Sequence, residues 1–394
     1  ARMPEVPKFA DFRVMLDKMD KEIDAVVVST PDNTHAVISA AAIRHGKGVY
    51  VEKPMTHDVF EARALRQLAR RYKVATQMGN QGTSYRAFRQ AVAILQAGRI
   101  GRVNEVHVWS TGGGAGPRPR IKEGPFPVPE YLKWDLWLGP AAHREYHPVW
   151  MQWHGWRDFG TGNLGNWATH SSNLAVKGLK VDSLWHADPA AKIRIHVKAE
   201  VSGLLRDRFP RWEKIRWELP PRGDMPAVTF HWYNGRGALG VRDRLEKLKG
   251  GYLDWGDKGE KKWRDHAGVI VVGSEGVIHS TSHNGSLTLN PPKKREELKE
   301  LLNSVAGSRG HEREWLEAVK GGPAAWSNFD YSGPQTEFLL LGNIATQFEQ
   351  ELEFDPLACK ILNNAEADNL LPVSYTHLRA HETSLHLVCR LLLE

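Results

Sequence analysis

Two charged residues and a proline end one of the apolar strands that the sequence predicts. The stretch GVYVEKP covers residues 48–54, so Glu52, Lys53 and Pro54 follow directly on the strand. A carboxylate and an ammonium group at such a position can bind a polar ligand or move a proton, and the proline ring fixes φ beside the lysine. Taken alone, the triplet is equally typical of a surface turn.

Two further polar clusters hold the same position relative to neighbouring strands. Thr30 and Pro31 follow the strand AVVVS, and residues 79–81, GNQ, follow the strand VATQM. Successive strands of a parallel sheet end at one edge, which is where doubly wound sheets bind ligands. Each cluster by itself is better explained as a turn or a helix cap, but their repetition predicts a ligand crevice.

The elements that must position these clusters alternate between helix and strand. The strands begin at residues 25, 48 and 74, and the β-branched run AVVVS is typical of a strand that is buried on both faces. Between the first two strands, Asp32, Asn33 and Thr34 offer N-caps and Gly46 a C-terminal stop. Asp58 and Glu61 predict a capping box. The pattern predicts βαβ units of a doubly wound parallel sheet over residues 1–103.

The pattern of apolar and polar residues changes after residue 103. Stretches such as KIRIHVKAEV and AVTFHWYN predict a mostly antiparallel second sheet over residues 104–371, and EFLLLGNIATQFEQEL predicts a long helix. Tryptophan is unusually dense here. Six tryptophans that could cover a sugar ring or fill a core are Trp134, Trp137, Trp150, Trp153, Trp156 and Trp167. We expect two of them to face a ligand.

Composition limits the classes of protein. The 394 residues are 41% apolar and 25% charged, without an apolar run of about 18 residues, so no membrane span is expected. The net charge of +7 arises from segments in which acids and bases interleave, so we expect no nucleic-acid partner. Cys359 and Cys389 form neither a disulfide framework nor a zinc motif, and no metal is expected.

The sequence GTGNLG at residues 160–165 has the spacing of a dinucleotide fingerprint, but no buried strand precedes it. It is therefore rejected as a phosphate cradle. A first strand, a glycine-rich turn and an acidic ribose ligand are expected before Ala1, and cofactor binding by the chain as given is expected to be weak. Whether the protein is cytoplasmic or exported stays open.

Three stretches in sequence order, TPDNTH, YVEKP and GTGNLGNWATH, resemble the Gfo/Idh/MocA family, the relatives of glucose-fructose oxidoreductase and inositol dehydrogenase. The resemblance runs from Phe9 to Leu371. It implies an α/β protein, with an incomplete Rossmann domain for NAD or NADP and a C-terminal α/β domain with an open, mostly antiparallel sheet. In the family the second domain binds a carbohydrate-like substrate and mediates homo-oligomers.

The resemblance also implies roles for single residues. Lys53 would lie beside the nicotinamide and the substrate hydroxyl, and His170 would act as the acid–base residue. Oxidation of a secondary alcohol needs such a base with a pKa near the working pH. The family has an aspartate where this sequence has Asn166. An amide can orient an imidazole but cannot stabilise its positive charge as a carboxylate does. Asp158 is a possible substitute for the missing carboxylate. A buried core histidine and a surface lysine are the plainer interpretations.

The remaining expected contacts fall into two sets. The expected cofactor contacts are Ser29, Thr30, Pro31, Asn33, His35, Glu52, Lys53, Pro54, Asn80 and Gln81. The expected substrate contacts are Trp153, Trp156, Arg157 and Trp167.

The main hypothesis is an NAD(P)-dependent oxidoreductase acting on a secondary hydroxyl of a sugar, cyclitol or sugar derivative. One alternative is an enzyme that oxidises its substrate transiently and cleaves a glycosidic bond without net reduction of NAD. A second alternative, favoured by Asn166, is a non-catalytic sensor or scaffold.

The end of the chain differs from the rest. The stretch PVSYTHLRAHET resembles a translated sequencing adapter of the kind found in metagenomic fragments, so residues 372–394 are expected to be a non-native tail. The alternative is a natural helix, since SLHLVCRLLLE has helical apolar spacing.

Overall fold

The computed structural model describes residues 5–112, 124–235, 240–256 and 264–372. Their strands form two sheets, one three-stranded and one nine-stranded. Within these ranges, no helix is both long enough and apolar enough to cross a bilayer. Of the expected tail at 372–394, only Pro372 is described; residues 373–394, including Cys389, lie outside the described residues.

The N-terminal part is a parallel sheet with helices between its strands. The register pairs Val26 with Val49, and Val49 with Thr76, so all three strands end at the same edge. The elements are β1 (Ala25–Val28), β2 (Gly48–Val51), β3 (Thr76–Met78), α1 (Phe12–Met19), α2 (Asp32–Arg44), α3 (Val59–Tyr72) and α4 (Arg86–Gln96). The expected capping box is present, with Asp58 accepting from Glu61 N at 2.8 Å. The doubly wound parallel architecture is confirmed.

Two local expectations in this part were wrong. Pro31 is the N-cap of α2, and Asp32, Asn33 and Thr34 lie inside its first turn, with no capping side chain. The sequence pattern could not show that the carboxylate of Asp32 has a distant partner, Thr161. Strand β1 is also not buried on both faces, because Val27 is 59% exposed at the edge of the described sheet.

The second part is built on the nine-stranded sheet, in the order β10-β9-β8-β4-β7-β6-β5-β11-β12. Its strands are β4 (Val103–Ser110), β5 (Ile195–Val201), β6 (Glu213–Leu219), β7 (Val228–Asn234), β8 (Ala267–Gly273), β9 (Val277–Thr281), β10 (Thr288–Asn290), β11 (Leu352–Asp355) and β12 (Lys360–Ile361). The pair β4–β7 is parallel and the other pairs are antiparallel. The prediction of a mostly antiparallel sheet is therefore confirmed.

The helices of this part lie around the sheet and between the two parts. They are α5 (Trp134–Leu138), α6 (Thr169–Ser171), α7 (Asn173–Gly178), α8 (Arg242–Lys249), α9 (Lys294–Glu297), α10 (Lys299–Ser304), α11 (His311–Val319), α12 (Phe329–Ala345) and α13 (Ala365–Asp368). Short 3-10 helices and one π-helical turn, Leu164–Ala168, complete them.

Helix α12 joins the two parts. It is buried along almost its whole length and packs against both α3 and β5. Its Glu337 accepts hydrogen bonds from Arg63 of α3 at 2.6 Å and from the indole of Trp185 at 2.7 Å. A buried carboxylate needs such partners, because an unpaired one would carry a large desolvation penalty. The result is a fixed relation between the parallel sheet and the large sheet.

The tryptophan-rich segment is mostly core. Five of its six tryptophans pack with Phe159 and Val149 into one apolar cluster: Trp134, Trp137, Trp150, Trp153 and Trp156. Trp167 is separate and packs against the main core of the large sheet. The density of tryptophan therefore reflects a local apolar cluster more than a ligand surface.

Candidate active site

Lys53 stands at the carboxyl end of β2, where the three polar clusters of the parallel sheet meet. Atoms are closely packed at this edge of the sheet. A side chain at Gly79 would place its Cβ only 2.6 Å from Oε2 of Glu52. His35 holds the loops together, with Nδ1 2.9 Å from the carbonyl oxygen of Pro54 and Nε2 2.9 Å from that of Thr30. The predicted common edge is thus present, and Lys53 projects from it.

The second part supplies the partner of Lys53. The ammonium group of Lys53 donates a hydrogen bond to Oδ1 of Asn166. Asn166 lies in the π-helical turn Leu164–Ala168, which runs directly into α6 with His170. Such π-turns often occur at functional sites because they redirect side chains. Lys53, Asn166 and His170 therefore occupy one region of the molecule.

His170 is buried among aromatic rings. It is 5% exposed, and its Nδ1 has no hydrogen-bond partner among the described residues. The ring of His283 lies 4.2 Å away, centroid to centroid. Trp167 lies edge-to-face with His266 at 4.8 Å and with His283 at 6.1 Å. Sequence reasoning missed His283 and His266, because no motif links their loops to residue 170.

Burial sets the charge state of this group. Burial lowers the pKa of His170 well below its ordinary value, and the neighbouring charges of His283 and Lys53 lower it further. Burial also lowers the pKa of Lys53, while Asp32 and Glu52 oppose that shift. His170 is therefore a neutral imidazole at neutral pH, able to accept a proton. Lys53 loses its proton more easily than an exposed lysine.

A chain of buried hydrogen bonds connects the edge of the parallel sheet with the helix that carries His170. Ser327 donates to Oδ1 of Asn80, and Nδ2 of Asn80 donates to Oε1 of Gln335 at 3.1 Å. Nε2 of Gln335 then donates to the carbonyl oxygen of Thr169 at 3.0 Å. Gln335 lies on α12, so this helix links the residues that follow β3 to the helix that carries His170.

The loop of His283 fits closely on the loop that follows β3. A Cβ at Gly82 would overlap the carbonyl oxygen of His283. His311 completes this region, with Nε2 3.0 Å from the carbonyl oxygen of Met78 and Nδ1 3.2 Å from the hydroxyl of Thr83. His283 is thus held in place by main-chain packing.

The expected cofactor contacts fall into two groups. Ser29 and Thr30 are exposed at the end of β1, Glu52 and Lys53 are partly buried, and Gln81 begins a 3-10 helix. The side chains of the second group make hydrogen bonds within the protein. Asn33 bonds to Leu138, His35 to the loops of Thr30 and Pro54, and Asn80 to Gln335. The side chains of the first group are the more accessible to a ligand, and those of the second shape the edge.

The expected substrate contacts are mostly structural. Trp156 is buried and donates to the carbonyl oxygen of Val149 at 3.1 Å, and Trp153 packs on the same cluster. The guanidinium of Arg157 donates to three carbonyl oxygens and to Oγ1 of Thr346. Of the four, Trp167 lies beside the histidines. Asp158 pairs with Arg144 at the surface, so its contacts do not support a substitute role for Asn166.

A cavity of about 290 Å³ also lies between the two parts, at a place that neither Lys53 nor His170 lines. Asn33, Asp58, Arg157 and Asn343 are among its lining residues, whereas Lys53 and His170 are not. The chemistry-bearing groups and this cavity are therefore distinct features.

Comparisons with known proteins point to one family. A model described as an oxidoreductase family with an NAD-binding Rossmann fold, Gfo/Idh/MocA, matches residues 1–80, and the C-terminal α/β domain model of the same family matches residues 119–218. Over 103 residues the chain is 32% identical to scyllo-inositol 2-dehydrogenase (NAD(+)) of Bacillus subtilis (strain 168). Over 101 residues it is 33% identical to inositol 2-dehydrogenase of Rhizobium meliloti (strain 1021).

The alignments with these curated relatives are partial. Each spans 26% of this chain, and they cover 30% and 31% of the two relatives. A solved structure of an inositol dehydrogenase homolog from Azotobacter vinelandii, complexed with NADH and myo-inositol, superposes with a TM-score of 0.51 at 15% identity. That match covers 88% of this chain and 82% of the other, and at this identity it shows a shared fold.

Proposed function

We propose that this chain, whose residues 1–80 and 119–218 match the two domain models of the Gfo/Idh/MocA oxidoreductase family, transfers a hydride between NAD(P) and a secondary hydroxyl of a sugar, cyclitol or sugar derivative. The observation that supports this most directly is the convergence of Lys53, Asn166 and His170. An ammonium and a neutral imidazole in one buried region are the groups that alcohol oxidation needs.

The chemistry assigns one role to each side chain. Oxidation of a secondary alcohol breaks the C–H bond, whose electron pair leaves as hydride, and the O–H bond, whose proton goes to a base. Neutral His170 is the proposed base, because its lowered pKa leaves the ring unprotonated. Lys53 is proposed to donate a hydrogen bond to the substrate oxygen and so stabilise its developing negative charge. Asn166 orients the ammonium without neutralising it.

The edge of the parallel sheet fits a nicotinamide cofactor. Ser29 and Thr30 are exposed at the end of β1, and Lys53 lies at the end of the next strand. These residues would hold the cofactor, and NAD(P), when bound, supplies the hydride acceptor.

Two finer assignments are also proposals. We assign residues 1–103 to cofactor binding and residues 104–371 to substrate binding. We further propose that copies of the chain associate through the open face of the large sheet. Support comes from β5 and β6, whose face opposite the core carries side chains such as Lys198 and Arg216 that are exposed. Light scattering of the purified chain would give the oligomeric state.

The proposal is tested with the chain as given, NAD⁺ or NADP⁺ at high concentration, and a panel of inositols, sugars and sugar acids. We expect the absorbance of reduced nicotinamide to rise with at least one substrate. Lys53→Met should lower kcat by at least about 10²-fold, within the range for loss of a proton-transfer group. Lys320→Met is the matched control, because this lysine is exposed after α11, and its rate should not change.

Two results would contradict the proposal. An unchanged rate in Lys53→Met would remove the lysine from the chemistry. Cleavage of a glycoside without net formation of reduced nicotinamide would instead support the transient-oxidation alternative. Cofactor binding without turnover of any substrate would support the scaffold alternative, and fluorescence of bound NADH measures that binding.

A further inference from the structure

We propose that Glu105, His107 and His231 form a binding site for one divalent transition-metal ion of the zinc class. The three residues lie on β4 and β7, the parallel pair of the large sheet. Their ligand atoms all lie within 4.8 Å of one another. A carboxylate and two imidazoles are a common protein ligand set for zinc, with a fourth position left for water or another ligand.

The sheet itself brings these side chains together. His107 and His231 are direct register partners, and Glu105 precedes His107 by two residues, so all three project from one face. The neighbouring positions Val106 and Phe230 project from the opposite face into the main core. The two imidazole rings are nearly parallel, with centroids 5.1 Å apart and planes at 12°. The site is thus on the other side of the sheet from α12 and the candidate active site.

The two nitrogen–carboxylate distances are long for charge-assisted hydrogen bonds and are compatible with metal ligation, with one imidazole nitrogen facing each carboxylate oxygen. Nε2 of His107 is 3.4 Å from Oε2 of Glu105, and Nε2 of His231 is 3.3 Å from Oε1. Charge-assisted hydrogen bonds between nitrogen and carboxylate oxygen are shorter, about 2.7–2.9 Å. Around a tetrahedral zinc with bonds of about 2.0–2.1 Å, neighbouring ligand atoms are about 3.3–3.4 Å apart.

His107 offers a buried ligand atom to the site. Its side chain is fully buried, and its Nε2 has no hydrogen-bond partner among the described residues. Its Nδ1 lies 3.1 Å from the hydroxyl oxygen of Tyr233, which accepts from Nδ1 in one tautomer and donates to it in the other. In the first tautomer, Nε2 presents a lone pair towards the carboxylate of Glu105, and a cation bound between the two groups stabilises that arrangement.

Arg244 is the competing positive charge. Its Nη2 donates to both oxygens of Glu105, at 2.8 and 2.6 Å. A carboxylate has lone pairs left beyond those two bonds, so it can bind a metal while it keeps the guanidinium. The side chain of Arg244 is also 58% exposed, which allows it to move aside.

An approach from solvent exists on the His231 side. The side chain of His231 is 21% exposed and borders a cavity of about 310 Å³. Tyr233, Lys214 and Arg216 also line that cavity. In a single copy of the chain, a metal ion can therefore reach His231 from this cavity, and a water molecule can complete its coordination. The positive charges of Lys214 and Arg216 at this cavity repel a metal cation, so we expect its affinity to be modest.

The test uses the full chain after treatment with a chelator, titrated with Zn²⁺ alone in a calorimeter. We expect one equivalent of Zn²⁺ to bind and to raise the melting temperature, since a ligand that binds the folded state stabilises it. His231→Gln and Glu105→Gln should each weaken binding at least about tenfold. Co²⁺ should give the intense absorption bands of a four-coordinate ion in the wild type and lose them in both variants.

His196→Gln is the matched control. His196 lies on the same sheet in β5, with Nδ1 3.4 Å from Glu351, but that pair has no second histidine. Its zinc binding should equal that of the wild type. Absence of zinc binding in the wild type, or equal binding in all four proteins, would overturn the proposal and leave the Glu105–His107 contact as a direct hydrogen bond. If His231→Gln does not fold, Glu105→Gln decides the test.

Discussion

Lys53 and Asn166 meet across the boundary between the two sheets, the ammonium donating to the amide oxygen. The hydrogen-bond partner of the lysine is therefore a neutral side chain, and this contact does not neutralise the charge of the ammonium group. Burial lowers the pKa of Lys53, and the amide does nothing to reverse it by charge. The site keeps an ammonium that can be deprotonated, next to an imidazole that is already neutral.

Replacing Asn166 by aspartate should shift the alkaline side of the pH profile. A carboxylate within hydrogen-bond reach of Lys53 favours its charged form and should raise its pKa by about one to three units. If charged Lys53 is required, the alkaline limb of kcat/KM moves to higher pH by a similar amount. Asn104→Asp, at an exposed asparagine of β4, is the control and should leave the limb in place. An unmoved limb in Asn166→Asp would show that another group titrates there.

Replacing His283 by glutamine should shift the acid side of the same profile. Burial is the main cause of the lowered pKa of His170 and His283 adds to it, so removing His283 should raise that pKa part of the way towards the ordinary histidine value of about 6.5. The base must be neutral, and activity is lost as the pH falls through its pKa. The wild-type acid limb should therefore lie below pH 6.5, and the limb of His283→Gln should lie at higher pH than the wild-type limb. The same limb in both proteins would exclude coupling between the two rings.

Replacing Gln335 by leucine should destabilise the protein. The change leaves Nδ2 of Asn80 and the carbonyl oxygen of Thr169 buried without this partner. Each unpaired buried group costs about 1–3 kcal/mol, so the free energy of unfolding should fall by about 2 kcal/mol or more. Urea unfolding measures this loss. Gln350→Leu, at an exposed glutamine, should change the stability by less than about 0.5 kcal/mol.

Two truncations should separate the body of the protein from the residues after 372. Deleting residues 373–394 is expected to leave the melting temperature unchanged. Deleting residues 370–394 should lower it, because Leu371 is buried and its carbonyl oxygen accepts a hydrogen bond from Phe60 N at 3.0 Å. A large decrease in the first truncation would mean that residues after 372 belong to the folded structure.

Local patterns were enough to predict the parallel sheet and its shared edge. The spacing of the strands, the capping box of Asp58 and Glu61, and the polar residues after each strand are all short-range features. The same reasoning failed for Asp32, whose carboxylate accepts hydrogen bonds from Thr161 at 2.6 and 3.1 Å instead of capping its own helix. A long-range contact of this kind has no local signature.

Long-range pairing also explains what was missed around the histidines. His283 reaches His170 through a turn after β9, and His231 reaches His107 through a register between strands far apart in sequence. The tryptophans show a different limit of reasoning from sequence, because residues that are close in sequence need not form a ligand site. Their clustering in sequence suggested a ligand surface, but five of them are packed together because their large apolar rings are best removed from water.

The close fit between Gly82 and the loop of His283 has a consequence for comparing related sequences. A side chain at position 82 would collide with main-chain atoms, which cannot rotate away as a flexible side chain can. Homologues that carry alanine or a larger residue there must therefore have displaced the second imidazole. A single glycine, readable in any alignment, thus becomes a marker for which members of the group share this paired-histidine arrangement.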